Sequence, residues 1–269
     1  MFGEMLQNVR KKRPLIHSIT NFVTVNDCAN ILLACGASPI MADDEREAEI
    51  TSACDGLCIN IGTLSSRTIP SMLAAGKKAN ELCHPVVLDP VGVGASQFRT
   101  DTAFKLLNNI HFSVIRGNIS EIKTLALGTG SAKGVDADIA DRFTEETLDK
   151  AVAFAKNFSE KTGSVIAITG KTDIVADNDR AFVIRNGNDM MSLVTGTGCQ
   201  LSSLTAAFIA ANQNDILTAA VSAMGLAGET AFGRLSPLDG NASYRNYIID
   251  AVCNMTPQGL KEGAKYEMR

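Results

Sequence analysis

The residues best suited to chemistry lie together at Thr195-Gly196-Thr197-Gly198-Cys199. Two glycines and two threonines precede a cysteine, and the run from Leu201 to Ala211 reads as a helix. The segment is a loop turning into a helix N-terminus. Glycine lets the backbone take positive φ and clears side chains from the approach path. The first N–H groups of a helix have no intrahelical partner and carry the positive end of its dipole. Such a terminus holds an anion, typically a phosphate. A thiol placed there is expected to have a lowered pKa, because the thiolate is the favoured form. One short segment thus offers an oxyanion cradle and a base or nucleophile. The same residues also describe a glycine-rich loop before a core helix with a buried cysteine.

Three further features bear on the choice. Asp89 stands in Leu88-Asp89-Pro90-Val91-Gly92-Val93-Gly94, Arg116 and Glu121 in Arg116-Gly117-Asn118-Ile119-Ser120-Glu121, and Thr169 in Ile168-Thr169-Gly170-Lys171. Phosphoryl transfer needs donors around the phosphates, a divalent cation held by carboxylates, and a base near the acceptor hydroxyl. Mg²⁺ takes oxygen ligands, usually one or two carboxylates with waters and phosphates. Asp89 and Glu121 could supply them. Taken singly, Asp89 also reads as a turn former before proline, Glu121 as a first-turn helix acid, and Arg116 as a surface cation.

These residues gain weight from the elements that must carry them. Gly56–Gly62, Pro85–Pro90, Phe112–Arg116 and Ser164–Thr169 are short, near-continuous apolar runs, and helical stretches over 67–83, 101–109 and 145–161 alternate with them. Thr144 is the candidate cap of the last, and a short helix is expected over Ser120–Leu127. Such runs mark parallel strands covered on both faces. Repeated strand–helix units give an α/β sandwich with right-handed crossovers, and ligands bind outside the carboxyl ends of the strands. Met41, Gly62, Asp89, Arg116 and Thr169 all sit at predicted strand C-termini, so they are expected to share one edge.

Before this alternation, residues 1–13 form a short polar helix. Leu15–Asn21 is extended, and a helix capped by Asn26 or Asp27 runs to Cys35, with Gly36 as its stop. Ser38–Met41 is a short strand, and an acidic helix follows to about Cys54. The Gly-rich stretch 128–134 is a loop. After Lys171 the pattern predicts short antiparallel strands over 172–177, 181–185 and 189–194, with Asn186-Gly187 as a hairpin signal. This meander delivers the chain into the Gly196 loop. Helices over 200–211, about 214–231 and 243–254 follow, and the polar tail after Pro257 is expected to fray. No linker or repeat divides the chain, so one domain over 1–269 is expected.

Composition narrows the classes. The 269 residues are 45% hydrophobic and 20% charged, which is ordinary for a globular chain. A net charge of -4 and the absence of Trp argue against a nucleic-acid surface. No apolar run reaches the roughly 18 residues of a membrane span, and the start lacks the pattern of a secretory signal. Seven cysteines, mostly in apolar contexts, fit reduced thiols in a cytoplasmic protein. No zinc spacing is present, and His17, His84 and His111 are scattered, which favours structural roles. The acidic run Asp43–Glu49 reads as a solvated face, and Lys171 as a hairpin lysine or a phosphate contact.

Several stretches together resemble one family. They are Pro14–Asn21, Gly36–Ala42, Asn60–Leu64, Asp89–Ala95, Ile115–Asn118 with Glu121, and Thr195–Cys199. The chain resembles the hydroxyethylthiazole kinases, within the ribokinase-like fold, over nearly its whole length. Most ribokinase-like enzymes have an Asp at the Cys199 position, whereas a Cys is frequent in the thiazole kinases. Ser18 departs from the commonest wording of that family.

The resemblance implies a three-layer α/β/α sandwich with a mostly parallel sheet and an antiparallel meander at one side. It implies ATP- and Mg²⁺-dependent phosphorylation of 4-methyl-5-(2-hydroxyethyl)thiazole, giving the phosphate used in thiamine biosynthesis and salvage. It implies Cys199 as the group that accepts or orients the hydroxyl proton. Met41, Gly196 and Asn21 are then placed at the thiazole, Arg116, Thr169 and Gly198 at ATP, and Asp89 and Glu121 near Mg²⁺. It further implies a homotrimer with active sites between subunits. The alternatives are a hydroxymethylpyrimidine or pyridoxal kinase, a non-catalytic nucleotide-binding protein, and an acyl-transfer enzyme with Cys199 as nucleophile.

Overall fold

The protein is described here from a computed structural model covering residues 1–128, 145–214 and 218–269. Nine strands form one sheet: β1 (Leu15–Ile19), β2 (Ser38–Ile40), β3 (Gly56–Asn60), β4 (Val86–Asp89), β5 (Val114–Asn118), β6 (Val165–Thr169), β7 (Asp173–Ala176), β8 (Ala181–Ile184) and β9 (Tyr266–Met268). Their order is β2-β1-β3-β4-β5-β6-β7-β8-β9. The first six are parallel to one another, and the last three add antiparallel at one edge, starting with β7 on β6.

Strand residues alternate between two apolar layers. Ile16, Cys58, Val87, Val114, Ala167 and Val175 join one core, and Leu57, Ile59, Leu88, Ile115, Ile166 and Ile168 join the other. The first core takes helices α1 (Phe2–Lys12), α2 (Val25–Cys35), α7 (Thr197–Ala211), α8 (Thr218–Gly233), α9 (Asn241–Asn254) and α10 (Pro257–Gly263). The second takes α3 (Thr68–Glu81), α4 (Gln97–Leu107), α5 (Ile119–Leu127) and α6 (Glu145–Thr162). Both faces of the parallel strands are covered, which explains their near-continuous apolar sequence. Helix α7 is buried from Cys199 to Ala211, so its Gly-rich N-terminus is anchored by the core itself.

The antiparallel edge corrects one expectation. Residues 189–194 do not form a strand: Asp189–Leu193 is a 3-10 turn whose Asn188 side chain accepts from the Met190 N–H. Asn186-Gly187 is not a hairpin turn either, because the Asn186 side chain is spent on the C-terminal segment. Its Oδ1 accepts from the Lys265 N–H at 2.8 Å and its Nδ2 donates to the Gly263 carbonyl at 2.9 Å. The third antiparallel strand is β9, from the tail expected to fray. Thr256 caps α10, Leu260 is buried, and the Tyr266 ring packs 4.7 Å from that of Phe2. Those contacts offset the ordering entropy of a polar tail.

Helix starts also shift. Helix α2 begins after Thr24, and Asp27, offered as a cap, instead forms a forked ion pair with Arg245. Helix α4 begins four residues early because Ser96 caps it. The acidic stretch after Met41 is a 3-10 helix, Glu45–Ala53, capped by Asp44. Residues 129–134 of the expected Gly-rich loop and the expected cap Thr144 lie outside the described residues. No helix among the described residues is long and apolar enough to cross a membrane.

Candidate active site

The carboxyl ends of the parallel strands meet the N-terminus of α7. The register sets Asn60 beside Asp89, and Asn118 beside Thr169. Gly196 is left-handed with φ 89°, and it turns the chain into α7. A Cβ there would lie 2.4 Å from Thr24 Cγ2. Gly196→Ala is therefore expected to lower the melting temperature by several degrees, from left-handed strain and a clash with a β-branched neighbour. An unchanged thermal unfolding curve would contradict that.

Cys199 is buried, and its Sγ accepts two amide hydrogen bonds, from Asn21 Nδ2 at 3.0 Å and Asn60 Nδ2 at 3.3 Å. The Asn60 Nδ2 also donates to Asp89 Oδ2 at 2.7 Å, and its Oδ1 accepts from Asn21 Nδ2 and the Gly62 N–H. Asn21 Oδ1 in turn accepts from the Thr24 N–H and hydroxyl. Ser202 Oγ completes the cluster on Asp89 Oδ2 at 2.8 Å. The orientation of each amide is thus determined by its neighbours.

The expected acidification of Cys199 is reversed. Burial, then the charge of Asp89, push the thiol above its usual range, while Thr24, Asn21 and Asn60 act the other way. The stabilisation that a helix N-terminus gives a thiolate competes with desolvation, and at the buried Cys199 desolvation is the larger. Burial also lifts Asp89 to about 6 against the attraction of Arg116 and the hydrogen bond from Ser202. Its Oδ1 is buried with no hydrogen-bond partner and lies 3.6 Å from Arg116 Nη1.

Arg116 donates through Nη2 to Thr169 Oγ1 at 2.5 Å. Its guanidinium lies over Gly198, where a Cβ would come within 2.7 Å of Nη1. Glu121 closes a capping box with Asn118, one oxygen accepting from the Asn118 N–H at 2.8 Å, and the other accepts from the Gly92 N–H at 2.9 Å. The helix-acid reading and the site reading of Glu121 therefore both describe its placement. Asp173 lies behind Thr169, accepting from the Gly170 N–H, and burial lifts it to about 7.

Two cavities meet here. One, of about 350 Å³, is lined by Asn21, Gly62, Asp89, Arg116, Glu121, Gly196, Gly198 and Cys199. The other, of about 290 Å³, is lined by Met41, Met72, Val25, Phe22 and several hydroxyl side chains, with Asn60 and Thr63 at the boundary. Thr63 lines both. Gly196 and Met41, which the resemblance assigns to one ligand, thus face adjoining cavities. Thr169 lines neither and touches the first through Arg116.

The bland readings hold elsewhere. His17 is buried, bridges Thr51 Oγ1 and the Ala42 carbonyl at 2.9 Å each, and has its pKa lowered by burial. It holds the turn beside Met41. Neither His84, His111 nor Lys171 lines either of these two cavities, and all seven cysteines are free. Asp43 is not merely solvated, since it lines the second cavity and pairs with Arg67 at 2.7 Å.

Sequence reasoning missed Asn60, Thr24 and Ser202 as site residues. Asn60 had a readable signal: a lone polar residue ending an apolar strand, as Asp89 does. Thr24 and Ser202 had none, because their partners lie outside their local segments.

A cavity with a helix N-terminus, an arginine and carboxylates, beside one that sets Met41, Met72, Val25 and Phe22 among hydroxyl side chains, suits transfer of an anionic group to a small, partly apolar acceptor. The comparisons agree with that chemistry. The sequence model of the Hydroxyethylthiazole kinase family matches residues 6–258. A hydroxyethylthiazole kinase of Clostridium acetobutylicum is 63% identical, over 99% of both chains. Another, of Clostridium beijerinckii, is 52% identical over 94% of this chain and 92% of that one. The solved hydroxyethylthiazole kinase of Pyrococcus horikoshii superposes with a TM-score of 0.87 at 36% identity, covering 100% of this chain and 98% of that one. A Staphylococcus aureus pyridoxal kinase superposes at 0.58 with 13% identity, over 95% of this chain and 98% of that one, a likeness of fold alone. With its sequence matched nearly end to end and its α/β sheet shared with a solved member, the chain belongs to the hydroxyethylthiazole kinase family.

Proposed function

We propose that the protein transfers the terminal phosphoryl group of ATP to the hydroxyl of 4-methyl-5-(2-hydroxyethyl)thiazole, in thiamine biosynthesis or salvage. The observation that carries the reading is Cys199 itself. Its Sγ is held by Asn21 and Asn60 at the start of α7, on the wall of an anion-suited cavity, and Asn60 and Thr63 connect it to the cavity lined by Met41. A thioether against a sulfur-containing aromatic ring is a favourable contact.

The alcohol enters the second cavity with its hydroxyl toward Cys199. As the phosphoryl group transfers, Cys199 Sγ takes or orients the hydroxyl proton, and the two amide donors stabilise the sulfur as it gains charge. Backbone N–H groups from Gly196 to Cys199 and the Arg116 guanidinium face the charge developing on the phosphoryl oxygens. Thr169 holds Arg116 in that orientation. Positioning and electrostatics carry most of such a reaction, so a weak base suffices.

Mg²⁺ fits the residues present. Asp89 Oδ1, buried without a hydrogen bond, is a hard oxygen donor whose charge is met by Arg116 at 3.6 Å, and Asp89 and Glu121 both line the first cavity. Asp89 and Glu121 would hold the ion, which neutralises phosphate charge when bound. A homotrimer with sites between subunits belongs to the same reading. It is supported by Phe22, 77% exposed at the mouth of the second cavity, and by the exposed Val23 and Leu33 near it in the chain. A reducing cytoplasmic setting suits seven free thiols.

The deciding assay offers ATP with hydroxyethylthiazole, hydroxymethylpyrimidine or pyridoxal, with and without Mg²⁺. Phosphorylated thiazole is expected only with Mg²⁺ present. Its absence, or preference for another acceptor, overturns the reading. Gly198→Ala checks the nucleotide side. The methyl group displaces the guanidinium end of Arg116 and leaves the backbone in place, so the KM for ATP is expected to rise about tenfold with little change in melting temperature.

A further inference from the structure

Arg99 has no role in the site as described above, yet its guanidinium is tied to the site's frame by three hydrogen bonds. Nη1 donates to the Ile61 and Val91 carbonyls at 2.8 Å each, and Nη2 to the Gly62 carbonyl at 2.6 Å. Ile61 and Gly62 lie in the turn after β3, and Val91 lies in the turn after β4. The first turn follows Asn60, and the second follows Asp89. Among the described residues, no carboxylate pairs with Arg99.

A cation fully engaged with backbone carbonyls is an unusual use of a guanidinium. Its planar fork suits two acceptors at a fixed separation, which lysine cannot reproduce. The placement also repeats a device seen one unit later. Arg99 is the third residue of α4, counted from its cap Ser96, and Glu121 is the third residue of α5, counted from Asn118. Each reaches back across a neighbouring turn, Glu121 to the Gly92 N–H and Arg99 to the β3 turn. The turns after β3, β4 and β5 are thereby linked in series. Gly92, with φ 76°, also lies against the Arg99 side chain.

We propose that Arg99 is a positioning residue of the phosphoryl-transfer site, holding the turns after β3 and β4 at the spacing that lets Asn60 reach both Asp89 and Cys199. The inference rests on the kinase reading of that site. Arg99 touches neither substrate nor phosphate. It acts through Asn60, the last residue of β3, whose bonds of 2.7 Å to Asp89 and 3.3 Å to Cys199 join the ends of β3 and β4 to the start of α7. Misplacement of reacting groups by about 1 Å costs on the order of 10²-fold in rate.

Three measurements test this on the full chain. In Arg99→Ala, kcat is expected to fall about 10–100-fold with the KM for ATP within about twofold. Millimolar methylguanidine is expected to restore part of that kcat, and none of the kcat of Cys199→Ala. Amide exchange is expected to accelerate at residues 61–64 and 91–94 and to stay unchanged in the core strands. If Arg99→Ala does not fold, Arg99→Lys carries the same reading: it keeps the charge and is expected to lose about tenfold in kcat. Full kcat in either variant, whatever its melting temperature, overturns the proposal. So does a loss of kcat without rescue, or accelerated exchange across the whole sheet. Exchange confined to the two turns in a protein whose wild type phosphorylates no alcohol would count against the kinase reading and leave the clamp standing.

Discussion

Cys199→Ala is expected to lower kcat by about 10²–10⁴-fold, the usual worth of general-base assistance, while leaving measurable turnover. The residue is buried, so the truncation opens a small void, but its two amide partners stay bonded, Asn21 Nδ2 to Asn60 Oδ1 and Asn60 Nδ2 to Asp89 Oδ2. The KM values for ATP and alcohol should therefore change little. The same geometry sets a pH signature. Burial and Asp89 push the thiol above its usual range, so the fraction of thiolate keeps growing through the alkaline side. Wild-type kcat should rise with pH without levelling near pH 8, and the alanine variant should lack that rise. Equal kcat in the two proteins removes Cys199 from the reaction.

Asp89→Asn is the second large expectation, and it separates activity from stability. Asn keeps the shape and can still accept from Asn60 and Ser202. It loses the charge that faces the first cavity, and kcat should fall by about 10²–10³-fold or more. Stability should move the other way. Burial lifts Asp89 to about 6 from an ordinary 3.8, so the folded chain holds the proton more tightly than the unfolded chain does. Ionisation therefore costs the wild type stability as pH rises from about 4 to about 6, and the cost is constant above that. Asn has no such titration. The variant should match the wild type at pH 4 and exceed it at pH 7.5 by up to about 3 kcal/mol. Denaturant melts in chelator at the two pH values read this directly. A variant less stable than the wild type at pH 7.5 would mean that the carboxylate is net stabilising. The exchange of stability for function is common where a charge is held dry for chemistry.

Local pattern determined much of this protein. Near-continuous apolar runs such as Val86–Leu88 and Val165–Ile168 can be satisfied only between two helical layers, so they specify a parallel sheet. Polar residues that end such runs, Asp89 above all, must emerge at the sheet's carboxyl edge. Two glycines at the start of a buried helix, Gly196 as its cap and Gly198 in its first turn, specify an anion-suited turn, and the motif stretches carry the family. Tertiary structure decided the rest. The partners of Cys199 lie 178 and 139 residues away in the chain, so no local rule could name Asn21 and Asn60. The direction of the thiol's pKa followed from burial, which depends on everything packed around α7 rather than on the turn that begins it. The fate of residues 189–194 and of the tail was likewise a competition between two segments for one sheet edge. Asn186 resolves it by bonding Gly263 and Lys265, which aligns Tyr266–Met268 with β8. Hydrogen bonding and desolvation are summed over neighbours in space, and a sequence orders neighbours only along the chain.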